Sequence, residues 1–187
     1  MKDIFLTGPK HSGKTRAGKA LASLCLCEFI DLDELITLRT GKSARQLYTE
    51  GKEIFQKAET EAVESLASTA DNAADNSAAN SSGDEQLRIV AAGGGMIDNQ
   101  DAVAIIKKLN AVVIYLSIDA ASAWERIARS PGGLPPFLQT ENPQETHRAL
   151  HERRAAAYSQ MADIVIEAEG KQSEKIAAEI ISKINLS

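Results

Sequence analysis

Apolar and polar positions alternate along this chain in two rhythms. The short runs "DIFLTG", "EFIDLD", "LRIVAAGGG", "NAVVIYLSI" and "ADIVIEA" each hold a compact apolar stretch, near-continuous in the fourth, as buried strands require. Between them apolar residues recur at helical spacing, as with Ala17, Ala20, Leu21 and Leu24 in "KTRAGKALASLC". "ELITLRT" stops at Gly41, and "SARQLYTEG" and "KEIFQKAETEAVESLAS" predict two helices parted by Gly51. "DAASAWERIARS", with Asp119 as N-cap, "ETHRALHERRAAAYSQM" and "SEKIAAEIISKIN" predict three more. Strand and helix alternate throughout, which predicts an α/β domain: a five-stranded parallel sheet between helices on both faces. The 187 residues suit one such domain with a full core.

One stretch breaks the rhythm. "STADNAADNSAANSSGDEQ", residues 68–86, offers no large apolar side chain to offset the entropy of ordering it. It reads as a surface insertion, flexible or helical only at its Ala-rich start.

Charge and composition narrow the partners. The net charge of -5 argues against nucleic acid and anionic membrane as partners. No apolar run approaches a membrane span, and "MKDIFLTG" lacks the features of an export signal, so a cytoplasmic monomer is expected. Cys25 and Cys27, in "CLCEF", read as small hydrophobes on opposite faces of a strand rather than a disulfide.

The strongest chemical signal is "GPKHSGKT", Gly8 to Thr15. Glycines at both ends of this loop let successive backbone N–H groups turn inward as an anion nest. The helix that follows adds its positive end. Gly8, Pro9, Lys10, His11, Ser12, Gly13, Lys14, Thr15 and Arg16 are the candidate ATP-binding residues. Lys14 would reach the β- and γ-phosphates, and Thr15 would place its hydroxyl on Mg²⁺. "IDLD" puts Asp31 and Asp33 at the carboxyl end of the second strand, beside that nucleotide. One carboxylate could serve the metal and the other an acceptor hydroxyl, with a helix-cap role for Asp33 as the competing reading. Gly93, Gly94 and Gly95 follow the third strand and expose bare backbone to a small ligand.

The ordered set GPKHSGKT, FIDLDELI, EGKEIFQKAE, AAGGGMI, PPFL and RRAAAYSQMAD resembles the shikimate kinase family over nearly the whole chain, apart from 68–86. The resemblance implies a P-loop kinase fold with a lid near residues 130–142, mobile in that family. It implies MgATP-dependent phosphorylation of the 3-hydroxyl of shikimate, a step in aromatic amino acid biosynthesis. It assigns Asp31 to Mg²⁺ and Asp33 to the acceptor as base. Gly93 to Gly95 fall to the substrate ring, and Arg154, four residues before Tyr158, to the substrate carboxylate.

Three positions depart from the family pattern. Gln56 stands where the pattern F-R-x-x-E has arginine, and Pro135 stands where R-P-L-L begins with arginine. His11 replaces a small loop residue. Two lost charge-assisted bonds, each about 1.5–3 kcal/mol, predict a weakened grip on the acid. Gln56 and Lys57 remain candidate acceptor contacts, although Lys57 is a residue out of phase on its helix. A related kinase with another acceptor, or a nucleotide-binding protein without turnover, are the alternatives.

Arg126 and Arg129 fall where the family stacks an arginine on adenine, and Arg129 is taken as the contact, against solvated charge at a helix end. Trp124 reads as packing. His147 and His151, at i and i+4, could bind zinc only with a third ligand, so they are expected on an exposed polar face.

Overall fold

The protein is described by a computed structural model covering residues 2–76, 87–131 and 133–185. Five strands form the sheet: β1 (Lys2–Thr7), β2 (Glu28–Asp31), β3 (Leu87–Ala91), β4 (Val112–Ser117) and β5 (Ile164–Glu167). All neighbours run parallel, in the order β2-β3-β1-β4-β5. The central strand explains the three layers. Phe5 and Leu6 are successive residues, both fully buried, and alternation sends them to opposite faces. Leu6 packs with Leu21, Ile114 and Ile180, whereas Phe5 packs with Ile36, Val63 and Ile106.

The Leu6 face is covered by α1 (Lys14–Cys25) and α8 (Ser173–Asn185). The Phe5 face is covered by α2 (Leu32–Thr40), α3 (Ala44–Glu50), α4 (Lys52–Asn76) and α5 (Gln100–Lys108). Two further helices, α6 (Ala120–Ala128) and α7 (Pro143–Met161), pack on each other. Tyr158 of α7 is buried and stacks on Tyr115 of β4, with ring centres 5.4 Å apart.

The sequence reading needs three corrections. It passed over α5, whose buried Ala102, Val103 and Ile106 make a short helical stripe capped by Asn99. It ran the second strand through Asp33, whereas β2 ends at Asp31 and α2 begins at the next residue. It put Cys25 and Cys27 on a strand. They flank Leu26, the left-handed C-cap of α1, as half-buried free thiols. The Ala-rich start of the insertion is helical, since α4 continues to Asn76; residues 77–86 lie outside the described ones.

One polar contact lies inside this packing. Asp3 and Arg88 sit opposite each other in the β1–β3 register, each 4% exposed. Arg88 Nε and Nη2 donate to the two Asp3 carboxylate oxygens at 2.8 and 2.7 Å, and Nη2 also donates to the Leu66 carbonyl of α4. Fork-to-fork geometry offsets the desolvation of both charges, and the third bond ties α4 to the sheet. Asp3→Ala leaves Arg88 buried without its counter-charge, so it should cost about 3–5 kcal/mol in chemical denaturation. Asp3→Leu combined with Arg88→Met should recover most of that loss. A double variant no more stable than Asp3→Ala would show that the pair is needed as such.

Candidate active site

Strand order places the site. After β1 the chain moves to one side for β2 and β3, then crosses to the other for β4 and β5. The crevice at such a reversal opens beyond the carboxyl end of β1, where the loop of residues 8–13 begins. Three residues of that loop have positive φ: Gly8 at 137°, His11 at 63° and Gly13 at 96°. Such reversals of the backbone suit an anion nest at the N-terminus of α1. A Cβ on Gly8 would lie 2.5 Å from the Leu116 carbonyl, so glycine is required there.

Lys14 is 8% exposed, and its Nζ donates to the carbonyls of Gly8 and Pro9 at 2.9 and 2.8 Å. Burial lowers its pKa to about 8, against the opposing pull of Asp33 and Asp31. Thr15 Oγ1 donates to Asp31 Oδ2 at 2.8 Å, joining α1 to the end of β2. The other Asp31 oxygen accepts from the amides of Asp33 and Glu34, so the helix cap is Asp31. The Asp33 side chain is left to face the cleft. The cleft walls strip water from it and raise its pKa; Asp31 pushes the same way, and Lys14 and Lys10 oppose.

The three glycines border three different groups. A Cβ on Gly93 would sit 3.2 Å from Glu59 Oε1 and 3.3 Å from Asp33 Oδ1. One on Gly94 would sit 2.8 Å from the Lys10 amide nitrogen, and one on Gly95 would sit 3.2 Å from Arg154 Nη2. Bare backbone is what lets the phosphate loop, the two carboxylates and the arginine converge.

Glu59, named in the sequence only as part of a pattern, emerges as a site residue. It is 1% exposed; Oε2 accepts from Asn99 Nδ2 at 3.0 Å, and Oε1 has no hydrogen-bond partner among the described residues. Burial pushes its pKa up to about 7. Asp98 and Arg153 were also missed. Arg154 Nε and Nη2 both donate to Asp98 Oδ2, and Arg153 Nη2 donates to Asp98 Oδ1. Gln56 Nε2 donates to the Asp98 carbonyl at 3.0 Å. Phe137, in a short 3₁₀ turn of the lid region, lies 5.5 Å from the Arg154 guanidinium and 5.8 Å from the Tyr48 ring. Glu59, Asp98, Arg153, Arg154, Gln56 and Phe137 border one open cleft of about 1290 Å³, which residues 10–13 of the phosphate loop also line.

Three expectations fail. Lys57 points away, 81% exposed, beside Glu61, because it lies a third of a turn from Gln56. Arg129 is likewise 81% exposed and pairs with Glu125. Arg126 is the one at the cleft, where Nη1 donates to the His11 carbonyl and Nη2 pairs with Glu169. His147 and His151 are buried, not on an exposed face. His147 packs on Trp124, and His151 Nε2 meets the Ile118 carbonyl at 3.1 Å. Among the described residues no cluster of three metal-binding side chains occurs, so zinc gains no support. None of the described helices is long and apolar enough to cross a membrane.

A phosphate nest, an adjacent carboxylate pair and a small-molecule cleft at the end of a parallel sheet define a P-loop kinase of small molecules. The comparisons with known proteins name the kind. The shikimate kinase family model matches residues 10–185, and the chain belongs to that family. It is 33% identical to the shikimate kinase of Thermus thermophilus over 182 residues, 97% of this chain and 89% of that one. It is 30% identical to the shikimate kinase of Actinobacillus pleuropneumoniae, over 98% of this chain and 96% of that one. Among solved structures, shikimate kinase from Acinetobacter baumannii in complex with shikimate matches with a TM-score of 0.82 at 28% identity, over 100% and 94% of the two chains. The enzyme is thus an ATP-dependent small-molecule kinase.

The Glu59 carboxyl titrates near 7 in the folded protein against about 4.5 unfolded. Its folded pKa is raised, so between those values the folded state holds the extra proton and stability falls as pH rises. The shift corresponds to on the order of 3 kcal/mol. His147 and His151 act with the opposite sign below their ordinary value, since burial lowers both. Comparison with Glu59→Gln cancels them. The melting temperature of that variant, minus that of wild type, should grow from pH 5 to pH 8; a flat difference would mean that Glu59 is not strained by its burial.

Proposed function

We propose that Lys14 and Asp33 carry the phosphoryl transfer from ATP, with shikimate as acceptor. The observation that supports this division is the Thr15–Asp31 contact, which ties up one aspartate and leaves Asp33 facing the cleft between Lys14 and the triple glycine. The nest of residues 8–13 suits the phosphates of ATP, and Arg126, in place of Arg129, lines the base end of the cleft. A hydroxyl and a carboxylate held 2.8 Å apart beside that nest are hard oxygen donors that fit Mg²⁺. The metal, when bound, screens the phosphate charge. Asp33 accepts the proton of the acceptor hydroxyl as its oxygen bonds to the γ-phosphorus, while the bond from that phosphorus to the oxygen of departing ADP breaks. Lys14 swings from the Gly8 and Pro9 carbonyls to the β- and γ-phosphates, where its charge stabilises the oxygens that gain negative charge. Gly93 to Gly95 line the place of the ring, and Arg154 and Gln56 face the acid. The cleft's chemistry suits a small polyol acid, with no nucleic acid or membrane as partner.

Asp33→Asn should lower kcat by about 10²- to 10⁴-fold and leave nucleotide binding and melting temperature near wild type, because Asp31 caps α2. Near-normal turnover would exclude Asp33 as base. In the wild type the acid limb of kcat/KM, which reports the free enzyme, should lie above that of an unperturbed aspartate, following the raised Asp33 pKa.

Lys14→Ala should lower kcat by at least about 10²-fold with the fold retained by circular dichroism. Turnover unchanged in that variant would remove the phosphate-loop assignment.

A further inference from the structure

The geometry points to an arginine clamp, Arg153 with Arg154 held on Asp98, as the device that takes the substrate carboxylate in this enzyme. It rests on shikimate as the acceptor and adds what replaces the two arginines that Gln56 and Pro135 displace.

The first observation is how Arg154 spends its donors. Its Nε and Nη2 both go to a single oxygen, Asp98 Oδ2, at 2.9 and 2.6 Å. That is the side edge of the guanidinium, one of the two that can grip a carboxylate bidentately. Nη1 makes only a long contact, 3.3 Å, to the Gly94 carbonyl. Arg154 therefore meets a ligand with its end, not its side. One end-on guanidinium already shared with a carboxylate is a weak anchor for an acid.

The second observation is Arg153. It sits next in sequence on α7, yet its Nη2 reaches the same carboxylate, at Oδ1, 2.9 Å away. Asp98 thus carries one guanidinium on each oxygen, and the cluster keeps a net charge of +1 at the wall of the cleft. Adjacent residues on a helix diverge by about 100°; the shared Asp98 is what draws them to one place. Gln56 cannot replace a guanidinium, because its amide is neutral and one of its two N–H donors already goes to the Asp98 carbonyl. Pro135 has no side-chain donor. Arg153 is 62% exposed and so sits on the rim, where it meets the acid first and feels salt most.

Asp98 is a positioning residue. It touches no reacting atom. Its backbone fixes Gln56 and its two oxygens fix the two arginines. Phe137 stacks over Arg154 from the lid side, so the clamp and the lid region meet at one guanidinium.

Steady-state kinetics with shikimate and with its methyl ester test this. Arg153→Ala should raise KM for shikimate about tenfold at low salt and move neither KM for ATP nor KM for the ester. Its kcat should stay within about twofold, since the contact is made equally before and during transfer. Asp98→Asn should also raise KM for shikimate, and the two effects should not add in the double variant, because one acts through the other. Arg153→Lys should restore only part of the loss, an ammonium lacking the fork. Equal effects on shikimate and ester, or full additivity, would overturn the clamp. Turnover of shikimate with an unmoved KM in Arg153→Ala would overturn it too and leave the acceptor assignment intact. Failure of the wild type to phosphorylate shikimate would overturn that assignment and the clamp with it.

Discussion

Two stretches of naked backbone come closer here than side chains permit, and the site follows from that approach. The loop after β1 and the glycines after β3 meet at Lys10 and Gly94, where even a methyl group would stand 2.8 Å from an amide nitrogen. The parallel β1–β3 ladder delivers both loops to the same sheet edge. The absence of side chains at 93–95 then lets Asp33, Glu59 and Arg154 close in from three other elements. Replacing the middle glycine would force the loop after β1 and the loop after β3 apart.

Charges packed this tightly must differentiate. Asp31 and Asp33 are two residues apart, yet Asp31 accepts from the Thr15 hydroxyl and two amides, whereas burial raises the pKa of Asp33. Glu59, behind them, is raised to about 7. Lys14 is lowered to about 8. Carboxylates with unlike environments take unlike roles, and the environments here are set by which oxygen finds an N–H or O–H donor.

The layers, the strand count and the phosphate loop were readable because each rests on local pattern: apolar runs, helical spacing, and glycines that the backbone angles require. The helix α5 escaped because its stripe is short and follows the glycine motif without a pause. Site residues that depend on long-range geometry were the ones misjudged. Lys57 and Arg129 sit one helical step or one turn from residues that do face the cleft, and only packing decides which face turns inward. His147 and His151 look like a polar face in sequence, but α6 lies over them. Asp98 falls just outside the quoted motifs and Arg153 only opens the last of them; they come together where α4, α7 and the turn after β3 meet.

Strand order has a consequence for how such an enzyme can change over generations. The walls of the cleft come from α2 to α4 and the loop after β3 on one side of β1, and from α6, α7 and the turn into α8 on the other. The helices of the first wall touch one another, while α8 touches α1 and β5. Substitutions on separate walls that share no partner combine additively. Asp98 sets the limit of that independence, because Gln56 holds it from one wall and Arg153 and Arg154 hold it from the other. The central strand parts two walls that can change separately except where Asp98 bridges them.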